Sequence, residues 1–516
     1  MNAKFAAAAG AVLLSLAACN GQDRSSPTGS SATPPRGALL QTPVHLVGFY
    51  SPAALLALLG GSTLGQLLLQ TTYTPLCTIN VYHIEYQTVD PAGNLTPGSG
   101  ALMVPSGAAN CQGGRPMLEY AHGTSTDRNY NIADLTAGDN DEGLLMAAVF
   151  VAEGYLVVAP NYVGYDTSTL GYHPYLNAEQ QSDDMMDALA AARSALPTAE
   201  APGTTDGGKF FVTGYSQGGF VAMATHRAMQ AAGMPVTASA PMSGPYALSA
   251  FGDAVFEGEV NASATVNFTL LAAGYQHAYG NIYAEPTDVF ATAYAADIGS
   301  LLPSTTSISV LESDGSIPAS QLFSSTPPAA AYAAYTPATA PTSLAAIFAA
   351  GFGADYLVTN AYRAGYLQDA FANPDGGFPA TTSGVAPANP GNALRRAFKL
   401  NDLRTWSPAA PVLLCAGSSD PTVFYFNTQL IQNYWAAAAP MTAASTTVLD
   451  IDSAVTSGDP YEALKLEFQA AKAAVIALAI ADGASDGGRS AVLGDYHAGL
   501  VPPFCLSAAR SFFDAH

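Results

Sequence analysis

The sequence predicts an α/β fold, a mostly parallel central sheet covered on both faces by helices and interrupted by a large, mainly helical insertion. Three observations carry this. From about residue 78 to 242, short β-branched and aromatic runs alternate with helical stretches, the pattern of strands joined through crossover helices. The alternation stops near Gly244 and strand character returns only at 411–416. One strand also runs straight into a helix through the glycine-flanked Gly214-Tyr215-Ser216-Gln217-Gly218.

The first residues read as a targeting segment. Lys4 supplies a positive start, and residues 5–18 are apolar but too short to span a bilayer. They end in Leu16-Ala17-Ala18-Cys19, which resembles a bacterial lipobox; in such signals cleavage leaves the cysteine as a lipid-bearing N-terminus. Residues 1–19 are therefore expected to be a lipoprotein signal peptide with Cys19 lipidated. An ordinary secretory signal with an incidental cysteine is the alternative. Residues 20–42, rich in Ser, Pro, Thr and Gly, lack the apolar surface to fold and predict a flexible tether between the membrane and the folded part of the chain.

Residues 43–245 predict the first part of the core. An apolar stretch over 52–73, broken by Gly60-Gly61, reads as a helix packed on the core. Strand-like runs follow at 78–87, 100–104 and 115–121, with the first two separated by the hairpin-like turn Asp90-Pro91-Ala92-Gly93-Asn94. Then come a helix (143–153), a strand (156–159), a helix (178–195), a strand (209–213), a helix (219–229) and a strand (236–242). Residues 246–405 carry several helical stretches and few strand runs, and predict a helical cap. Tyr275, Tyr279 and Tyr283 recur there at helical spacing, a stripe that fits packing within the cap better than an acyl pocket. Residues 406–516 return to the core, with strands at 411–416 and 446–451.

A chain of 516 residues can bury a large core. Its 17 basic and 39 acidic side chains give a net charge of −22 with no basic cluster, which excludes a nucleic-acid partner. Export permits disulfides. Cys77, Cys111, Cys415 and Cys505 allow three pairings. The favoured one joins Cys77 to Cys111 across the first strands and Cys415 to Cys505 between a late strand and the tail. No Cys-x-x-Cys or His-x-x-x-His spacing suggests a metal, and the chemistry below needs no cofactor.

A serine on a glycine-flanked turn between strand and helix is the nucleophile elbow of an α/β-hydrolase. Ser216 would then need a neutral imidazole beside it and a carboxylate behind that imidazole. The chain order serine, acid, histidine leaves His497 and His516 as bases. His516 is the last residue, so His497, expected in a loop after the last core elements, is the candidate. Asp420, in the turn Gly417-Ser418-Ser419-Asp420 after a buried strand, is the candidate acid, although it also fits a helix cap before Pro421. Asp450, Asp452 and Asp495 are its rivals. The oxyanion needs donors: the Gln217 N–H, after the nucleophile, and the Thr124 N–H in Tyr120-Ala121-His122-Gly123-Thr124. His122 precedes the serine and is expected to order this loop.

Those stretches, with Asn161-Tyr162-Val163-Gly164-Tyr165 and His173-Pro174-Tyr175, resemble the secretory lipase family from about residue 75 onward. The resemblance implies an α/β-hydrolase with a Ser-Asp-His triad and a helical lid, acting as a lipase or carboxylesterase on acyl esters. The yeast members place an aspartate-bearing loop at the oxyanion site, where this chain has His-Gly-Thr as bacterial members do, so the Thr124 assignment does not follow from the yeast enzymes. A peptidase on the same fold, or a non-catalytic surface lipoprotein that binds ligands in a decayed pocket, are the competing readings.

Overall fold

The computed structural model describes residues 33–69, 74–137, 141–199, 203–375, 386, 389–438 and 446–516. The signal segment, Cys19 and most of the tether lie outside these residues. Pro35–His516 form one compact unit. In chain order the strands are β1 (His45–Tyr50), β2 (Thr78–Val89), β3 (Leu95–Ser106), β4 (Gly113–Ala121), β5 (Leu156–Pro160), β6 (Thr204–Tyr215), β7 (Ala238–Met242), the two-residue β8 (Phe323–Ser324) and β9 (Phe352–Gly353), β10 (Val412–Ala416) and β11 (Thr446–Asp450). Strands β8 and β9 pair with each other. The other nine make one sheet in the order β1-β2-β3-β5-β4-β6-β7-β10-β11.

From β5 to β11 every neighbouring pair is parallel, as the strand–helix alternation predicts. The antiparallel edge comes from the hairpin β2–β3 and from β1. The hairpin closes where Asp90 Oδ1 accepts the Ala92 and Asn94 amides, each at 2.9 Å, and Gly93 takes φ +81°, a region costly for other residues. Strand β1 was not legible: it is short, and Leu46, Val47 and Phe49 are exposed, so no buried face marks it.

The apolar stretch after β1 forms two helices, Pro52–Gly61 and Thr63–Leu68, meeting at Ser62, which ends one and caps the other through a 3.1 Å bond from the Gly65 amide. Between β7 and β10 the chain is mainly helical, with helices such as Leu248–Phe256, Ala264–Tyr279, Asn360–Ala372 and Ala393–Asn401. Tyr275 is fully buried there, its ring 5.4 Å from Tyr279 and its hydroxyl donating to the Leu176 carbonyl at 3.1 Å. Tyr275 also packs 6.2 Å from the Phe398 ring and the Tyr279 hydroxyl accepts the Asn401 side-chain amide at 2.8 Å, so these two tyrosines join their helix to Ala393–Asn401. Two buried ion-pair groups fasten the same region. Arg395 bridges Asp253 and Asp369, and Arg404 bridges Asp375 and Asp402.

The C-terminal region corrects one expectation. His497 lies not in a loop but in a π-helical turn, Tyr496–Leu500, between helices Arg489–Asp495 and Val501–Asp514. Short π segments recur at functional sites because they re-aim single side chains. Disulfides join Cys77 to Cys111 and Cys415 to Cys505, with Cα separations of 5.7 and 5.6 Å. The second fastens β10 to the helix that follows His497. Among the described residues no helix is long and apolar enough to cross a membrane.

Candidate active site

Strand β6 ends at Tyr215 and the helix Gln217–Ala231 begins two residues later, so Ser216 alone makes the turn. It does so at φ 59° and ψ −122°, a strained conformation for a residue with a Cβ. Its amide is held by the Met242 carbonyl of β7 at 3.0 Å. The flanking glycines permit this. A Cβ on Gly218 would overlap the Ala121 carbonyl at the end of β4, and one on Gly214 would lie 2.6 Å from the same oxygen. The sheet thereby sets the serine at the carboxyl ends of its central strands, where open α/β sheets bind ligands.

His497 reaches it from the π turn. Its Nε2 lies 2.8 Å from Ser216 Oγ and its Nδ1 lies 2.7 Å from Asp420 Oδ2. A carboxylate can only accept, so Nδ1 carries the proton and Nε2 is free to take the serine proton. Asp420 is 1% exposed, and its other oxygen accepts the Thr422 and Val423 amides at 2.8 and 3.0 Å. The helix-cap reading is not met, because the next helix begins only at Phe426; one oxygen of Asp420 caps a non-helical turn and the other holds the imidazole. The Tyr215 hydroxyl donates to the His497 carbonyl at 2.6 Å and fixes the turn from below.

The rival acids are engaged elsewhere. Asp450 accepts the Ser418 and Asp452 amides, and Asp452 pairs with Lys472 and the Tyr496 hydroxyl. Asp495 stands one residue from Tyr496, its carboxyl pushed up by burial and packed beside Gly499. His516 turns its ring to the Phe512 carbonyl.

Gln217, the first residue of the helix, is anchored by its side chain. Its Nε2 lies 2.7 Å from His173 Nε2, and His173 Nδ1 lies 2.9 Å from the Val163 carbonyl. The carbonyl can only accept, so Nδ1 bears the proton and Nε2 accepts from the amide. Burial holds His173 neutral by lowering its pKa to about 3. His122 orders its loop as expected. It is buried, stacked 4.2 Å from Tyr162, with its pKa lowered by burial to about 4, and its Nδ1 lies 2.6 Å from the Gly123 carbonyl. Thr124 Oγ1 meets the Tyr175 hydroxyl at 2.9 Å.

Two cavities meet at Ser216. One, with an empty volume of about 690 Å³, is walled by Leu248, Phe251, Phe256, Phe268, Leu271 and Phe398. The other, of about 1200 Å³, is mixed in character and includes Thr124, Thr126, Glu142, Asn267, Glu312 and His497. Sequence reasoning missed Glu142 and His173. Glu142 reads as an ordinary first-turn acid of a helix, and His173 carries no spacing that ties it to residue 217.

The strand order, the elbow and the late histidine define the α/β-hydrolase fold, and solved structures agree. The rice cell wall degrading esterase LipA from Xanthomonas oryzae is similar at TM-score 0.65 and 24% identity, over 93% of this chain and 98% of that one. A putative hydrolase from Legionella pneumophila is similar at TM-score 0.61 and 18% identity, over 92% and 97%. These likenesses establish the fold. No family model matches the chain, and neither does any curated protein sequence.

Proposed function

We propose that the chain is a serine hydrolase of carboxylic esters, an esterase or lipase, working through an acyl-enzyme. The observation that carries this reading is the continuous hydrogen-bond relay from Ser216 through His497 to Asp420, opening onto two cavities. Ser216 Oγ attacks the ester carbonyl as His497 Nε2 takes its proton, and the carbonyl electron pair moves onto oxygen. The oxyanion collapses, the C–O bond to the alcohol breaks, and His497 returns the proton to the leaving alcohol. Water, deprotonated by His497, then releases the acid and restores Ser216. Asp420 steadies the imidazolium in both steps. The Gln217 and Thr124 amides serve as the oxyanion donors.

The apolar cavity suits the acyl chain, and the mixed one suits the alcohol side. The segment 246–405 is the cap that walls the acyl side. Kinship with secretory lipases rests on the motifs around residues 120–124, 161–165 and 214–218; the esterase description of the Xanthomonas protein supports the ester-hydrolase reading rather than that family. Delivery to the cell envelope through a lipid on Cys19 belongs to the same reading, supported by the two disulfides; the mass of the mature N-terminus is its check.

Ser216→Ala should lower turnover of a short p-nitrophenyl ester by about 10⁴-fold or more. Folded Ser216→Ala protein with near-native rates would overturn the proposal.

A further inference from the structure

The loop that follows β4 is held by a carboxylate which the relay does not use. Glu142, in the first turn of helix Asp141–Val149, accepts the Gly123 amide on both oxygens at 3.0 Å and the Tyr120 hydroxyl at 2.5 Å. On the other side of the same glycine, the carbonyl faces His122 Nδ1 at 2.6 Å, while His122 Nε2 faces the Asn161 carbonyl at 3.0 Å. The neutral ring has one N–H, and with that proton on Nδ1, the shorter contact, Gly123 is clamped at both ends of its backbone. A trans peptide directs its C=O and the following N–H to opposite sides. Drawing the Gly123 carbonyl toward the buried His122 ring therefore turns the Thr124 N–H away from that ring. The clamp also occupies the Gly123 N–H, which leaves the next amide as the loop's oxyanion donor.

The surroundings make the clamp stiff. The Tyr162 hydroxyl donates to the His122 carbonyl at 2.9 Å, and the Tyr165 hydroxyl donates to the Ser125 carbonyl at 2.6 Å. Glu142, Gly123, Thr124, Ser216 and His497 border one cavity. Burial raises the Glu142 carboxyl, while the Tyr120 hydroxyl, the Gly123 amide and the neighbouring His497 oppose that rise.

We propose that Glu142 is a positioning residue for the hydrolytic site: by holding the Gly123 amide against the His122-bound carbonyl, it aims the Thr124 N–H at the oxyanion. The inference rests on the reading of Ser216 as nucleophile. It assigns Glu142 no contact with substrate and no proton transfer.

The test compares a ligand that forms an oxyanion with one that does not. Octyl trifluoromethyl ketone adds to Ser216: the Oγ–C bond forms, the carbonyl pair becomes an alkoxide, and the serine proton passes to His497. Octanol fills the apolar cavity without forming an oxyanion. Glu142→Leu should weaken ketone binding about 10²-fold and lower kcat by a similar factor, with octanol affinity and KM unchanged. Glu142→Gln, which keeps one acceptor for the Gly123 amide, should lose about 10-fold. If Glu142→Leu does not fold, Glu142→Gln decides alone. Unchanged ketone affinity in folded variants, or equal losses for ketone and octanol, overturns the clamp while leaving the hydrolase reading intact. A native protein that binds no ketone and turns over no ester overturns both.

Discussion

Gly218 sits so close to the Ala121 carbonyl that a Cβ there would overlap it, and Gly219 stands in the same relation to the Met242 carbonyl. The elbow is built against two neighbouring strands at once, so added bulk must displace Ser216 from His497. Gly218→Ala should lower kcat/KM about 10²-fold, the scale of a displacement near 1 Å at a reacting group. A folded variant hydrolysing p-nitrophenyl esters at the native rate would contradict this account. At this scale the convergence of Ser216, His497 and Asp420 was legible because chain order filters candidates: few histidines follow Asp420. Glu142 and His173 were not, because each acts through a contact made by folding. Glu142 reaches back 19 residues to Gly123, and His173 forward 44 residues to Gln217.

Strands β4 to β7 and β10 were legible as elements because buried parallel strands read as short apolar runs bounded by turns. The C-terminal helices carried no equally plain signal. His497 reads as a loop residue because Gly494 and Gly499 flank it, yet the chain continues helically through that point by adopting a π turn. The segments that carry Asp420 and His497 are fastened by the Cys415–Cys505 disulfide, which closes a span of 90 residues. Removing it with Cys415→Ala and Cys505→Ala together should lower stability by about 2–4 kcal/mol, read from urea unfolding. An unchanged midpoint would show that packing alone holds β10 to the final helix.

Over the whole molecule, the segment between β7 and β10 was the least legible part, because its helices are short and its order comes from contacts such as the Arg395 and Arg404 ion pairs. It also carries a pH response. Burial raises Glu259 to about 7, and burial with nearby Asp253 and Glu259 raises Glu257 to about 7. In the unfolded chain both titrate near about 4.3. The folded state therefore binds more protons between those values. The stability these groups contribute is fully present below the unfolded pKa and is lost as pH rises through about 7. Glu259→Gln should leave the melting temperature nearly unchanged at low pH and raise it relative to the native protein at pH above 7. An equal difference at both ends of the range would remove Glu259 from this response.

The Cys415–Cys505 bridge has a further meaning as a matter of timing. Asp420 lies five residues beyond one of its cysteines and His497 eight residues before the other. Where thiols are kept reduced, these two partners are joined by packing and their own hydrogen bond; where the surroundings oxidise, a covalent bond also fastens the segments that carry them. A chain whose Cys415 and Cys505 are still reduced would then hold Asp420 and His497 beside Ser216 less firmly than one in which they are joined.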